Sequence, residues 1–495
     1  MAQSALRNTA WSSAAVYVEY LLGLVASVLV ARALQPADMG VYGLLLWMVA
    51  TGMALANAGI TLAAIKFVAE LRGAGREGQV ATLVARLRRL QRWTLLGVVA
   101  LLAAVLAASH ARLAPGVGWP VLALMVLSLS LRAPYMLNVA LLKGSQDFRS
   151  VAVVAVAGSV LNLALVALAW WRAPSLPVFA SVYALSSLVF WGMSHWRASR
   201  VVGAGTMGEP LPAELEARLR HHLRVVAVTS VVGTIGSGEI ELLPLNLLVD
   251  PHDAGLFKVA SALAVGAALL VPGVLSAQLL PLMAHARGRG AGQAEARFVA
   301  ITAWLLVLGA PLVAFGVAHA APLVALLYGS AYAAAAPAFA ALIAARTASV
   351  VGQGATAYLL SADRQAGLLR LTLVFTLLRI AGAFAATWLF GLRGALAAAL
   401  VLALAGSAVT IRMALQVSRT HLPWAQLLRI GAAALLPALA CVPLVQALPA
   451  LPALLAGGAV FAAGYPLALW LLRGLGEDDR AMLRAWIARR RARAG

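Results

Sequence analysis

Apolar runs long enough to cross a bilayer follow one another from Trp11 to Leu472, with only short turns rich in Gly, Pro and charge between them. Each span needs roughly 20 such residues, so the length holds about 12 to 14 spans and no sizeable soluble domain beside them. Composition agrees: 63% hydrophobic and 11% charged residues, with mean hydropathy +0.91, carry more apolar surface than a water-soluble fold can hide. The chain must be solvated mostly by lipid.

Reading the runs against their punctuation predicts helices near 9–34, 40–68, 93–109, 119–142, 151–171, 177–197 and 223–249. A second set follows near 254–284, 298–319, 333–360, 367–389, 392–417, 424–446 and 451–472. The first run ends in Ala31-Arg32-Ala33, which mimics a signal-peptidase site. It is too long for a signal sequence and contains Glu19, so it reads as a span.

The formal charge of +21 raises nucleic acid as a partner, but the basic residues are not gathered on a soluble module. They sit in alternate loops. With a cytoplasmic N-terminus, about 30 of the 38 Lys and Arg residues lie at cytoplasmic helix ends, so both termini are expected in the cytoplasm. The loop carrying Arg72, Arg76, Arg86, Arg88, Arg89 and Arg92 dominates this asymmetry. Within it Val80, Leu83, Val84, Leu87 and Leu90 recur at helical spacing, which predicts an amphipathic helix on the lipid surface. Glu214 to Arg224 and the tail beyond Asp479 read the same way. The single cysteine, Cys441, excludes internal disulfides and cysteine metal clusters.

The chain repeats itself. LQPADMGVY at Leu34–Tyr42 matches VDPHDAGLF at Val249–Phe257, setting Pro36, Asp38 and Gly40 over Pro251, Asp253 and Gly255, 215 residues on. The register holds to Arg72-Gly73 over Arg287-Gly288. Asp38 and Asp253 are expected to cap helices, and the glycines to allow close helix approach. The predicted architecture is all-α and polytopic, about 14 transmembrane helices as two parallel six-helix repeats plus two C-terminal helices. Its parts are a bundle at 1–198, a cytoplasmic linker at 199–222, a bundle at 223–417, two extra helices at 418–472 and a basic tail at 473–495.

Enzymatic chemistry finds little support. No Gly-Lys dipeptide exists for a phosphate-binding P-loop, and no His-Glu-x-x-His for a metal site. No catalytic residue, metal or cofactor is therefore assigned. What remains is a set of charges in otherwise apolar helices: Glu19, Arg132, Glu239, Glu241, Arg346 and Arg379, with Asn57 as a polar companion. Each costs roughly 2.5–3.5 kcal/mol at the bilayer centre on insertion scales, so they should face a wet interior or one another. Glu239 and Glu241 stand about 200° apart on a regular helix. Gly233, Gly236, Gly238 and Pro244 predict that this helix is bent or unwound, freeing carbonyls beside a carboxylate as a proton or sodium site.

The sequence also resembles the lipid-linked oligosaccharide flippases, the polysaccharide-biosynthesis branch of the multidrug/oligosaccharidyl-lipid/polysaccharide (MOP) exporter superfamily. The residues that carry the resemblance are Arg32, Leu34, Pro36, Gly40 and Tyr42 in the first hairpin, then Lys66-Phe67-Val68-Ala69-Glu70. It implies a non-enzymatic transporter of the bacterial inner membrane that flips an undecaprenyl-diphosphate-linked oligosaccharide toward the periplasm for O-antigen, capsule or exopolysaccharide. Polymerase and chain-length proteins are the implied partners, with H+ or Na+ as the coupling ion. For such a substrate Arg132, Arg346, Arg379, Arg32 and Lys66 are the candidate diphosphate contacts, because a guanidinium pairs bidentately with phosphate and stays charged when desolvated. Glu239, Glu19 and Glu241 are the candidate coupling residues. Internal salt bridges between these arginines and glutamates are the structural alternative. A cation–drug antiporter of the same superfamily and a lipid II flippase are the competing functions.

Overall fold

The computed structural model describes residues 2–113, 116–202, 208–269 and 273–476. Among these the regular structure is entirely helical. The first half comprises α1 (Ala2–Ala33), α2 (Pro36–Ala56), α3 (Ile60–Gly73), α4 (Glu77–Leu113), α5 (Trp119–Gly144), α6 (Phe148–Arg172), α7 (Leu176–Val202), α8 (Ala213–Ser237) and α9 (Leu242–Leu248). The second comprises α10 (Pro251–Leu269), α11 (Gly273–Gly288), α12 (Ala291–Ala318), α13 (Ala320–Tyr328), a 3-10 turn Ser330–Ala335, α14 (Ala336–Ser361), α15 (Gln365–Ser418), α16 (Trp424–Ala447) and α17 (Ala450–Leu471). Among the described residues ten stretches are long and apolar enough to cross a membrane. One of them, α15, runs for 54 residues and kinks at Gly391, whose φ of 59° is left-handed, so it covers two of the runs expected from sequence. The chain is a multi-pass all-α membrane protein.

Two predicted runs are interrupted, each at a cluster of small and polar residues. The run at 40–68 breaks at Asn57-Ala58-Gly59, where Gly59 adopts φ 73°. Asn57 turns its side-chain amide to the carbonyls of Met53 and Ala133, and Gln91 donates to both Asn57 Oδ1 (2.6 Å) and the Ala133 carbonyl (2.8 Å). The run at 223–249 breaks between Ser237 and Leu242, as its glycines predicted.

Contacts group the helices into two compact units, Met1–Lys258 with Thr372–Ala395, and Val259–Leu371 with Leu396–Gly495. In the first, α1 packs on α6, α5 on α3 and α7, and α2 against α4 and α5. In the second, α12 packs on α14 and α16, α11 on both α12 and α14, and α16 on α17.

Three expectations are corrected. The apolar face of α4 does not meet lipid: Val80, Leu83, Val84 and Leu87 are at most 3% exposed and pack with Phe67, Leu71, Leu211, Leu215 and Leu219. The segment from Glu214 is the other half of that core. The two amphipathic stretches bury their apolar faces in one core built around α3, and polar ties close its edges: Glu70 to Arg218, Arg86 to Glu216, and the Thr82 hydroxyl to the Glu209 carbonyl. Third, Asp38 and Asp253 are not caps. Proline opens both helices, Gln35 and not Asp38 precedes α2, and Asp250 takes the His252 N–H ahead of α10. Asp38 and Asp253 sit in the first turns, where an acid suits the helix dipole. The amphipathic tail beyond Asp479 lies outside the described residues.

Candidate functional site

The repeated hairpins meet. Proline starts α2 at Pro36 and α10 at Pro251, and one turn in, each helix presents a glycine to the start of the other. A Cβ on Gly40 would stand 1.9 Å from the Pro251 carbonyl oxygen, and one on Gly255 1.8 Å from that of Pro36. The buried Asn246 of α9 donates to the Leu242 carbonyl at 2.8 Å and toward that of Gly40 at 3.4 Å.

Beside this contact lies a residue that sequence reasoning missed. Lys258 occupies the position of Gly43 in the repeat register, and its stem lies where a Gly43 side chain would be, 2.9 Å from the built Cβ. Its Nζ reaches Glu239 Oε2 at 2.5 Å, with both side chains mostly buried. The available signal was that register: a long cation aligned with a glycine marks a place where one repeat fills the space the other leaves.

The unwound segment is held by a second pair. From α15, Arg379 donates from Nε to Glu241 Oε1 at 2.9 Å and from Nη2 to Oε2 at 3.1 Å. Nη2 also reaches the Gly238 carbonyl at 2.8 Å, and Nη1 the Gly236 carbonyl. Glu241 is 1% exposed. The fork that was expected to clasp a diphosphate is thus engaged by a carboxylate and two freed carbonyls, the salt-bridge arrangement.

Arg132 has different company. On α5, it donates from Nε to Ser187 Oγ at 3.0 Å and from Nη2 to Ser186 Oγ at 3.4 Å, while its guanidinium lies 4.6 Å from the Tyr183 ring centroid and 4.9 Å from that of Phe190. Both serine hydroxyls donate to the Tyr183 carbonyl, which leaves their lone pairs for the arginine. Every one of these partners is neutral. Among the described residues Arg132 makes no ion pair, although Glu19 lies within electrostatic range. Aromatic faces and hydroxyls hold the cation in place without cancelling its charge.

The remaining candidates are dispersed. Arg346 is half-buried in α14 of the second unit, whereas Arg132 belongs to the first. Arg32 is exposed near the end of α1, and Lys66 is exposed with Nζ 5.1 Å from the Phe67 ring centroid. Glu19 is half-buried in α1. Within the second unit, α12, α14, α15 and α16 line an open pocket of about 1070 Å³ whose walls are mostly apolar, with Arg412 and Trp424 among the lining residues.

A family model of polysaccharide biosynthesis proteins matches residues 5–197. No curated protein matches the chain in sequence. Among solved structures, the chain is similar to the lipid II flippase MurJ in an inward closed conformation, at 12% identity and TM-score 0.71, over 93% of this chain and 99% of that one. It is similar also to an inward-facing multidrug resistance MATE family transporter of the MOP superfamily, at 17% identity and TM-score 0.66, over 81% and 96% of the two chains. The Vibrio cholerae MATE transporter VcmN matches at 17% identity and TM-score 0.51, over 85% and 97%. At such identities the likeness is one of fold. The first two hundred residues thus match a model of polysaccharide biosynthesis proteins, and nearly the whole length shares the fold of these structures.

Proposed function

We propose that this protein flips an undecaprenyl-diphosphate-linked oligosaccharide from the cytoplasmic to the periplasmic leaflet of a bacterial inner membrane, for surface polysaccharide synthesis. Both termini are placed in the cytoplasm, and no chemical step on the substrate is involved. The observation that carries this reading is Arg132: a half-buried guanidinium inside an apolar bundle, fixed by Ser186, Ser187, Tyr183 and Phe190, with no carboxylate paired to it. An unneutralised, preorganised cation suits an anionic diphosphate and repels the cationic drugs of an antiporter. Arg346 is the second proposed contact. The apolar pocket of the second unit has the chemistry of a hydrocarbon chain and supports a lipid-borne substrate. Ion coupling is assigned to Glu239 or Glu19, whose protonation would change the charge balance around Lys258 and Arg132.

The test measures folded yield and surface-polysaccharide export for Arg132→Lys and Arg132→Ala. Charge-assisted bonds to phosphate are worth about 1.5–3 kcal/mol each, so loss of the fork should cut export about tenfold or more while the protein stays folded. Normal export from well-folded Arg132→Ala removes the residue from the substrate path. Unchanged polysaccharide with altered resistance to cationic drugs would favour the antiporter, and accumulated peptidoglycan precursor the lipid II flippase.

A further inference from the structure

We infer that the break between α8 and α9 is a monovalent-cation site that the protein fills with its own Arg379. Unwinding at Gly238–Glu241 leaves main-chain oxygens without their helical donors. The Leu242 N–H, which would bond the Gly238 carbonyl in an unbroken helix, bonds that of Glu239 instead. The Gly236 and Gly238 carbonyls and both oxygens of the buried Glu241 carboxylate then gather around one small space, where they bond Nη1, Nη2 and Nε of Arg379. Two carbonyls and a carboxylate are the donor set that a sodium-sized cation takes at an interrupted membrane helix. Here the space is occupied by a guanidinium.

The arrangement is built around that occupant. Thr376 stands one turn before Arg379 on α15, and its hydroxyl packs so closely on Gly236 that an added Cβ would lie 2.5 Å from it. Glycine at 236 therefore lets α15 approach the break, and Arg379 reaches the oxygens from there. The consequence is energetic. A cation tethered to the backbone cannot be exchanged between the two sides of a membrane, so an ion gradient does no work at Glu241. The pair instead pins α15 to the broken helix.

The experiment reads thermal unfolding of the purified full-length protein in detergent, without any transport assay, so its failure is separate from failure of the flippase reading. Arg379→Ala should melt below wild type, and its midpoint should recover with millimolar guanidinium, and with Na+ compared with N-methylglucamine at equal ionic strength. Wild type should not respond to guanidinium, and any Na+ response it shows should vanish with Glu19→Gln and Glu239→Gln. A neutral double variant, Arg379→Met with Glu241→Gln, should fold and show no cation response. A folded Arg379→Ala protein that no cation stabilises overturns the inference, as does a cation response in the double variant. Should Arg379→Ala not fold, wild type decides: saturable stabilisation by Na+ that survives Glu19→Gln and Glu239→Gln would show an exchangeable ion at the break and overturn it, and its absence supports the tethered cation.

Discussion

Gly40 and Gly255 face each other's helix starts reciprocally, each within van der Waals reach of the other repeat's opening proline carbonyl, Pro251 for Gly40 and Pro36 for Gly255. One sequence position, duplicated 215 residues on, thereby makes a contact with its own copy. Alanine at either position would drive a methyl into a backbone carbonyl that no rotamer can move. Gly40→Ala and Gly255→Ala are each expected to cost about 1–3 kcal/mol or more as the helices part. Gly73→Ala, where nothing lies within 4 Å of the added carbon, serves as the control. The readout is the unfolding midpoint in detergent. Equal midpoints for all three variants would show that the close approach is not maintained in the membrane protein.

Lys258 and Glu239 form the mostly buried pair beside that contact. Removing either partner strands the other charge, so Lys258→Met and Glu239→Gln are each expected to destabilise more than the two changes together. A double-mutant cycle should return a coupling of about 1–3 kcal/mol. Strict additivity would mean that water, and not Glu239, satisfies the lysine.

The docking of the linker on α4 gives a graded prediction. Leu83 is fully buried in the shared core and Leu90, two turns on along the same face, is 37% exposed. Leu83→Ala should cost about 2–5 kcal/mol by opening a cavity, whereas Leu90→Ala should stay within about 0.5 kcal/mol. Similar small effects at both would restore the lipid-surface reading of this helix.

The Glu70–Arg218 pair makes stability depend on acid. Both Arg218 terminal nitrogens bond the carboxylate, at 2.8 and 3.0 Å, and that hydrogen bonding holds the Glu70 carboxyl below its ordinary range. A depressed folded pKa favours the folded state fully above the unfolded value of about 4.3, and the gain is lost as pH falls through the lower folded value. Glu70→Gln should therefore lower the melting midpoint near neutrality and narrow the gap from wild type under acid. A gap that is constant from neutral pH to pH 3, about one unit below the free carboxyl, would indicate that the pair is screened by solvent at every pH.

The helical, membrane-spanning character of the chain could be read from sequence because it is a property of local runs: length, hydropathy and punctuation decide whether a segment can live in lipid. The repeat was legible for the same reason, since Pro36 and Pro251 set turns wherever they stand, and the glycines around 236 predicted the broken helix. Sequence could also name most of the buried charges, because a charge in an apolar run is conspicuous, although it passed over Lys258. It could not assign their partners. Whether an arginine meets a carboxylate or neutral groups depends on which helices touch: Arg379 and Glu241, 138 residues apart, meet through packing of α15 on the break, while Arg132 meets hydroxyls and rings of α7. The apolar stripe of α4 posed the same ambiguity, since an amphipathic face satisfies its burial equally against lipid or against protein, and only the fold brings Leu83 and Leu87 into one core with Phe67, Leu215 and Leu219. Burial energy is set by area and has no direction of its own. Tertiary structure supplies the direction, and with it the difference between an arginine held by a carboxylate, as Arg379 is, and one held by neutral groups, as Arg132 is.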